Sequence, residues 1–287
     1  MALELERLVA EELAQPVDPR VAAMAAAVAA RHGEASRAVL FYGSCLRQQQ
    51  LDGLMLDFYL IVSDYRAAYD KKWLARANAL IPPNVFPFHH DGLAAKYAVL
   101  SEADFHHLNG PETRNVSVWA RFAQPSRLVW VADDAARKAV VTGVARAAPT
   151  LLGAAGRITG EAALDWWRRA FSLTYSAELR AERKGRSGSV VDADAARYAK
   201  FSAPAAAAIE AGAVSGGWAR RRIEGKALSV VRLAKASATY AGGADYIVWK
   251  INRHAGTEIA LTPWQRRHPL LGAISLLPRL LKSGAIR

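Results

Sequence analysis

The sequence predicts an α+β protein with a mixed sheet and helices, then an all-helical domain, then a basic amphipathic tail. Short apolar runs typical of strands recur between helical segments up to about residue 155. Beyond that point only helical patterns continue, rich in alanine, a strong helix former. Near the C-terminus, leucines lie between basic residues. We therefore expect domains at residues 1–155 and 156–262, with the tail at residues 263–287.

The individual elements follow from periodicity and from breaker residues. Strands are expected at residues 37–43, 53–63, 96–101 and 127–132. Helices are expected at residues 2–14, 19–32, 45–51, 66–80, 102–108, 133–152, 161–183, 192–212 and 219–240. The segment IPPNVFPFHHDG, residues 81–92, is expected to be a loop because it is rich in proline and asparagine.

Composition limits the class of protein. The chain has 287 residues, 52% of them hydrophobic, which is enough to bury a core. Its net charge of +12 attracts polyanions, namely nucleic acid, nucleoside triphosphates or anionic lipid surfaces. Charge alone does not choose among them. The single cysteine, Cys45, excludes an intramolecular disulfide and suits a reducing compartment.

A candidate phosphate site lies where the first predicted strand ends, at Gly43 and Ser44. Glycine lets a ligand approach the backbone closely, and N–H groups at the start of a helix attract anions. On the next predicted strand, Asp57 interrupts the apolar run LMLDFYLIV. A buried aspartate needs a partner, and a magnesium ion bridging to phosphate would provide one. Alternatively, Asp57 caps a turn or pairs with a buried arginine.

This combination resembles the DNA polymerase beta superfamily of nucleotidyltransferases, in which a Gly-Ser turn precedes an Asp-x-Asp strand. The resemblance implies a polymerase beta-like nucleotidyltransferase domain and Mg²⁺-dependent nucleotidyl transfer. The second aspartate would fall at position 59, which is Tyr59 here. Another carboxylate must then complete the metal site, or the site is inactive.

A closer resemblance is to the mitochondrial-type phosphatidate cytidylyltransferases, which some bacteria also contain. Tyr42-Gly43-Ser44 matches the aromatic-Gly-Ser turn of that family, and Met55-Leu56-Asp57-Phe58 matches its strand with a single aspartate. The absence of a second aspartate is expected in this family.

Further motifs of the family follow in the same order. Spaced asparagines and histidines precede a Lys-Tyr strand in which Ala98 replaces the glycine of the family: Asn78, Asn84, His89, His90, Lys96 and Tyr97. Residues 174–180 match a Ser-Tyr-x-Gly-Asp-x-Arg helix in outline, with Glu178 in place of the aspartate. The matches are thinly spread over residues 40 to 180.

The resemblance implies a role for each matched residue. Asp57 would be catalytic and bind the metal with Glu178, and Arg180 would contact the phosphate of the substrate. The implied nucleotide-binding residues are Tyr42, Gly43, Ser44, Asn84, His89, Lys96 and Tyr97. The implied reaction transfers CMP from CTP to a phosphatidate-like anionic lipid, giving CDP-diacylglycerol and pyrophosphate. Apart from the resemblance, Lys96 could be a solvated strand-edge lysine and the histidines an exposed loop.

The predicted tail carries Trp264 and five basic residues among leucines and isoleucines. Such a segment suits an anionic membrane surface, but it could also be a final helix packed on the protein. No apolar run reaches the roughly 20 residues that a spanning helix needs. We expect a cytoplasmic protein, peripheral on the inner face of the membrane.

Two other functions remain open. The protein could be a nucleotidyltransferase that modifies a nucleic acid, a protein or a small molecule. It could also be a non-catalytic protein of the same fold that binds a membrane surface or nucleic acid. The charge suits nucleic acid. However, the sequence shows no helix-turn-helix, zinc spacing or aromatic-basic sheet pattern, so nucleic acid is not the expected partner.

Overall fold

The structure, a computed structural model, describes residues 2–48, 51, 53–178, 190–209, 216–239 and 260–267. The strands are β1 Ser36–Tyr42, β2 Met55–Val62, β3 Asn84–His90, β4 Leu93–Ser101 and β5 Ser126–Val131. The helices are α1 Ala2–Leu13, α2 Pro19–Ala30, α3 Ser44–Gln48, α4 Tyr65–Ala68, α5 Lys72–Leu80, α6 Glu102–Asn109, α7 Trp119–Phe122, α8 Asp134–Ala145, α9 Ala147–Ala155, α10 Ala163–Ala177, α11 Ala195–Ala207, α12 Trp218–Thr239 and α13 Pro263–Arg267. The predicted α+β class is confirmed.

The five strands form one mixed sheet in the order β3-β4-β2-β1-β5. Strands β2 and β4 run parallel, and the other neighbours are antiparallel. The register places Asp57 of β2 between Tyr42 of β1 and Lys96 of β4. Residues paired across neighbouring strands point to the same face of a sheet. The three side chains therefore form one row on one face.

Helices cover both faces of the sheet, as the alternation of apolar residues requires. On one face, Leu40, Tyr59 and Leu100 belong to a core shared with α1 and with α6 to α11. On the other face, Phe58 and Val99 belong to a second core shared with α2, α4 and α5. Asp57 alternates with Phe58, so it lies on the face that α6 to α11 cover.

The segment predicted as a loop contains a strand, and that prediction is wrong for residues 84–90. Strand β3 lies at the edge of the sheet and pairs only with β4 among the described strands. Proline cannot donate a ladder hydrogen bond, but an edge strand tolerates it because one side needs no partner. Pro87 is therefore compatible with the strand, although it suggested a loop.

Two segments that were each predicted as one helix contain two helices in the structure. The helix predicted over residues 66–80 is two helices, α4 and α5. The helix predicted over residues 133–152 is also two, α8 and α9, which meet at Arg146. The Asp133 side chain accepts a hydrogen bond from the Ala136 backbone and begins the first of these.

The predicted domain boundary coincides with the end of α9 at Ala155. Helices from both sides of this point nevertheless contribute to the same hydrophobic core. In addition, Arg197 of α11 pairs with Glu12 of α1, and both side chains are less than a tenth exposed. The described helices after residue 156 thus pack directly on the first part of the chain.

Only residues 263–267 of the predicted tail fall within the described part of the chain, where they form α13. Trp264 on this helix is 52% exposed. Residues 268–287 lie outside the described residues. Among the helices that the structure describes, none combines the length and apolar character needed to cross a bilayer.

Candidate functional site

The centre of the candidate site is an ion pair between neighbouring strands. Lys96 Nζ lies 2.8 Å from Asp57 Oδ1, and the two side chains are 26% and 19% exposed. The parallel register of β2 and β4 brings them together. The partner of Asp57 is thus a lysine from the next strand, which offsets the cost of placing a carboxylate inside an apolar strand.

The predicted strand, turn and short helix around Gly43 are confirmed. Gly43 has a φ of +96°, a conformation that favours glycine. A Cβ atom at this position would lie 3.0 Å from Asp57 Oδ2. The carboxylate therefore lies against the turn backbone, immediately before Ser44 begins α3.

A pocket of about 160 Å³ opens on the same face of the sheet. Sheet residues form one wall, and α7 and α12 contribute the others. Its polar lining includes four basic side chains, two phenols and an aliphatic hydroxyl: Lys96, Arg121, Arg232, Lys235, Tyr42, Tyr59 and Ser117. Since cations dominate the polar lining, the pocket is suited to an anionic ligand.

Arg121 of α7 carries a firmly held charge in this pocket. Its guanidinium donates to the carbonyl of Ser117 and lies 3.6 Å from Glu178 Oε1. Burial acts to lower the pKa of Arg121, but Glu178, with smaller effects of Tyr59, Tyr42 and Asp57, raises it on balance. Glu178, expected as a metal ligand, is thus paired with an arginine.

Tyr42 is a neutral group next to Asp57. Burial raises the pKa of its hydroxyl well above the usual value, and the Asp57 charge raises it further. Its ring packs against Tyr59, with ring centroids 5.3 Å apart. Tyr42 can therefore donate a hydrogen bond in the site but does not add negative charge.

Helix α12 supplies two cations from the C-terminal part of the chain. Arg232 Nη1 donates to Ser117 Oγ at 2.7 Å, and its Nε donates to the carbonyl of Pro82 at 2.9 Å. Lys235 Nζ donates to the carbonyl of Pro83 at 2.8 Å. Burial lowers the pKa of Arg232 to about 10, and burial together with Arg232 lowers that of Lys235 to about 7.

The structure brings several of the residues predicted from the sequence together. Tyr42, Gly43, Asp57 and Lys96 lie side by side, and Ser44 follows directly in the turn. Glu178 joins this group through Arg121. Arg180, expected to contact the substrate phosphate, lies outside the described residues.

Two of the predicted nucleotide-binding residues lie away from this group. Tyr97 belongs to the core on the opposite face, where its hydroxyl is 3.2 Å from His32 Nε2. Asn84 is fully buried and donates to the carbonyl of Leu74. These two side chains support the fold. His89 is exposed near the end of the edge strand β3.

Sequence reasoning missed Ser117, Arg121, Arg232 and Lys235. Arg232 and Lys235 are three positions apart on a predicted helix, so they share a face. That spacing could have predicted that the two basic side chains line the same site. Nothing in the sequence near Arg121 connects it with Asp57.

Asp57 is the acidic residue of this group that could hold a metal ion together with a bound ligand. Within the described ranges, no three His, Cys, Asp or Glu side chains come together to hold a metal. Mg²⁺ commonly uses one or two protein carboxylates and completes its shell with substrate phosphates and water. Asp57, with one oxygen against the turn, fits such a partial shell.

Fold and site together define an α+β protein with a cationic pocket beside a glycine turn and a carboxylate. No family model matches the sequence, and no curated protein is significantly similar to it. The function must therefore be inferred from the chemistry of the site.

Proposed function

We propose that this protein is a Mg²⁺-dependent nucleotidyltransferase that transfers CMP from CTP to a phosphatidate-like lipid phosphate. The observation that carries the proposal is the ion pair of Asp57 with Lys96 beside the Gly43 turn, because Lys96 also lines a pocket that contains three further basic side chains. Transfer of a nucleotidyl group from a triphosphate to a phosphate acceptor uses basic side chains to bind the phosphates and a carboxylate to hold the metal. The choice of cytidine and of a lipid comes from the sequence resemblance.

The proposed reaction requires no general base. A phosphomonoester has a second pKa near ~6, so at neutral pH its oxygen is already an anionic nucleophile. That oxygen would form a bond to the α-phosphorus of CTP, and the bond from this phosphorus to the β-phosphate oxygen would break. Pyrophosphate would leave with the electron pair of that bond. Atoms and charge balance without any proton transfer.

Each side chain in the site would have an electrostatic or positioning role. The backbone at Gly43 and Ser44 would bind the triphosphate, and Lys96 and Arg121 would stabilise charge that moves toward pyrophosphate. Asp57 would hold Mg²⁺, which when bound would neutralise part of the triphosphate charge. Tyr42 would donate a hydrogen bond as a neutral hydroxyl.

The sheet and the overall charge also support the proposal. The turn follows β1 and the aspartate lies on the neighbouring strand β2 of a mixed sheet, which is compatible with a polymerase beta-like nucleotidyltransferase fold. A net charge of +12 would favour an anionic membrane surface where the lipid acceptor resides. We propose that the enzyme works at the cytoplasmic face of such a membrane.

The test is turnover by the purified full chain. CTP labelled at the α-phosphate would be incubated with Mg²⁺ and with phosphatidate vesicles, RNA or protein as acceptors. We expect labelled lipid and an equal amount of pyrophosphate, both lost in Asp57→Asn. Label in RNA or protein would show a nucleotidyltransferase with another acceptor. No label in any acceptor, with folded protein and excess Mg²⁺, would contradict the proposal.

A further inference from the structure

Helix α12 closes one side of the pocket with cations that are already fixed in place. Arg232 is held by the carbonyl of Pro82 and by Ser117. Ser117 is itself fixed, because its hydroxyl donates to Asn115 Oδ1 at 2.9 Å. Lys235 is held by the carbonyl of Pro83. Side chains with fixed positions lose little freedom on binding a ligand, so the pair is preorganised.

The partners of these two cations are neutral. In the described part of the chain, Lys96 is paired with Asp57, and Arg121 with Glu178. No described carboxylate lies within 4.0 Å of Arg232 or Lys235, and Glu178 acts on Arg232 only at longer range. Carbonyl and hydroxyl oxygens satisfy hydrogen bonds but do not neutralise charge. Among the described residues that line the pocket, Arg232 and Lys235 are therefore the two basic side chains without a described carboxylate partner.

Holding these two charges partly buried costs free energy, and the lowered pKa of each side chain reflects that cost. Burial lowers the pKa of Arg232 and of Lys235, the charge of Arg121 also acts to lower that of Arg232, and the charge of Arg232 lowers that of Lys235 further. Partly buried cations are expensive unless an opposite charge is present. An anion with two negative charges would remove that cost for both residues at once.

The size of the pocket indicates what kind of anion it takes. Pockets that enclose a whole small molecule measure roughly 300–1,000 Å³. This one, at about 160 Å³, has room for a phosphate group and a few attached atoms. The rest of its lining is apolar or aromatic: Phe58, Tyr59, Pro83, Val85, Ala98 and Ala236. That lining suits the carbon atoms next to a phosphate ester.

We propose that Arg232 and Lys235 form the subsite for the dianionic phosphomonoester of the acceptor, separate from the triphosphate site at the Gly43 turn. The assignment of this anion as the acceptor rests on the proposed function. The binding of a phosphomonoester to these two residues does not rest on the proposed function. It can be measured without turnover.

The experiment is calorimetric titration of the full chain near neutral pH with glycerol 3-phosphate and with dioctanoyl phosphatidate below its micellar concentration. Dimethyl phosphate, a monoanion, is the charge control. We expect both phosphomonoesters to bind and dimethyl phosphate to bind much more weakly. Tighter binding of dioctanoyl phosphatidate would identify a lipid headgroup as the natural source, and equal binding a free phosphate ester.

Three variants assign the binding to these residues. Arg232→Gln and Lys235→Gln keep a hydrogen-bond donor but remove the charge. Each should weaken phosphomonoester binding by about 10- to 100-fold, which is the range for a lost charged hydrogen bond. Binding of Mg²⁺ and CTP together should stay within about twofold. Lys226→Gln removes an exposed cation from the same helix and should change neither affinity.

Several results would overturn the subsite. Unchanged phosphomonoester affinity in folded variants would do so, as would an equal loss of nucleotide affinity, which would assign the cations to the triphosphate. Absence of phosphomonoester binding to the wild-type protein at millimolar concentration would also overturn it. If Arg232→Gln fails to fold, Lys235→Gln decides the question. Charge-dependent binding without nucleotidyl transfer to any acceptor would leave the subsite standing and refute the proposed function.

Discussion

The Asp57 carboxylate on β2 lies where a side chain at Gly43, in the turn after β1, would begin. A single Cβ atom added to Gly43 would meet Asp57 Oδ2 at 3.0 Å. Glycine is therefore needed at position 43 for two separate reasons, its backbone conformation and the closeness of the carboxylate. Substitutions can distinguish these reasons because Gly53 has a positive φ but no atom close to an added Cβ.

Gly43→Ala should lower both stability and nucleotide affinity. Its φ of +96° is unfavourable for alanine, a cost of about 1–2 kcal/mol, and the new methyl group would displace the Asp57 carboxylate. Gly53→Ala is the matched control, because Gly53 has a φ of +72° with nothing within 4 Å of the added atom. Gly53→Ala should lower the free energy of unfolding and leave nucleotide affinity unchanged. Urea unfolding and CTP titration measure both effects, and unchanged nucleotide affinity in Gly43→Ala would refute a phosphate site at this turn.

Asp57→Asn should abolish turnover while the protein remains folded. Asparagine keeps the shape of the side chain but cannot hold Mg²⁺ with the strength of a carboxylate or neutralise Lys96. We expect a loss of more than about tenfold, or over ~1.4 kcal/mol in activation free energy. Asp91→Asn, at an exposed turn between β3 and β4, controls for the change in net charge. Retention of most of the activity in Asp57→Asn would exclude it as the metal ligand.

Tyr97→Phe should affect stability and leave nucleotide binding unchanged. His32 Nδ1 lies 2.9 Å from the Ala68 carbonyl, so the neutral ring carries its proton there and Nε2 accepts from the Tyr97 hydroxyl. Burial lowers the pKa of His32, which favours this neutral form. Removing the hydroxyl should cost about 0.5–1.5 kcal/mol in the free energy of unfolding. A tenfold fall in CTP affinity would instead restore the role expected from the sequence.

Lys235→Met should change how stability depends on pH. Burial lowers the pKa of Lys235 to about 7 in the folded protein, whereas an unfolded lysine titrates near ~10.4. Between these values the unfolded chain binds more protons, so this residue makes the free energy of unfolding rise with pH. The variant should lack that rise, and its stability relative to wild type should fall as pH increases from about 7 to about 10. Urea unfolding at several pH values measures this, with Lys226→Met expected to follow wild type. Parallel curves for Lys235→Met would contradict the buried position of the amine.

Deleting residues 263–287 should remove membrane association and leave a folded protein. Trp264, within the described part of this segment, is 52% exposed, as an interfacial anchor would be. Each basic residue near an anionic surface contributes about 1 kcal/mol, and salt should weaken this attraction. Sedimentation with anionic and neutral vesicles compares the full and shortened chains. Equal sedimentation would place the membrane contact elsewhere, and aggregation of the shortened chain would show that the segment belongs to the core.

Periodicity was sufficient for most of the fold. Strands β1, β2, β4 and β5 are apolar runs bounded by polar or turn residues, so the sequence predicts all four, although β4 begins at Leu93 and not at Lys96. Strand β3 was missed because Pro87 and neighbouring asparagine and histidine residues are typical of loops. Only its position at the sheet edge makes that composition acceptable, and position in a sheet is a tertiary property.

The site was predictable only where its parts are close in the sequence. Gly43, Ser44 and Asp57 belong to one strand-turn-helix-strand unit, so the sequence predicts that they lie close together, and the structure brings them together. Adjacent residues of a strand point to opposite faces, so Lys96 faces Asp57 whereas Tyr97, predicted with it as a nucleotide-binding residue, faces His32. Arg121 and Glu178 meet through folding of the whole chain, which local patterns do not describe.

The contact between α12 and the sheet edge also determines when the pocket can form during synthesis. Arg232 and Pro82 are separated by 150 positions in the chain, and Lys235 and Pro83 by 152. A ribosome adds roughly 5–20 residues per second, so on the order of 10 s passes between synthesis of the two sides. During that interval the nascent chain carries the glycine turn and Asp57 but lacks the wall that α12 provides. The complete pocket exists only after translation has passed the end of α12.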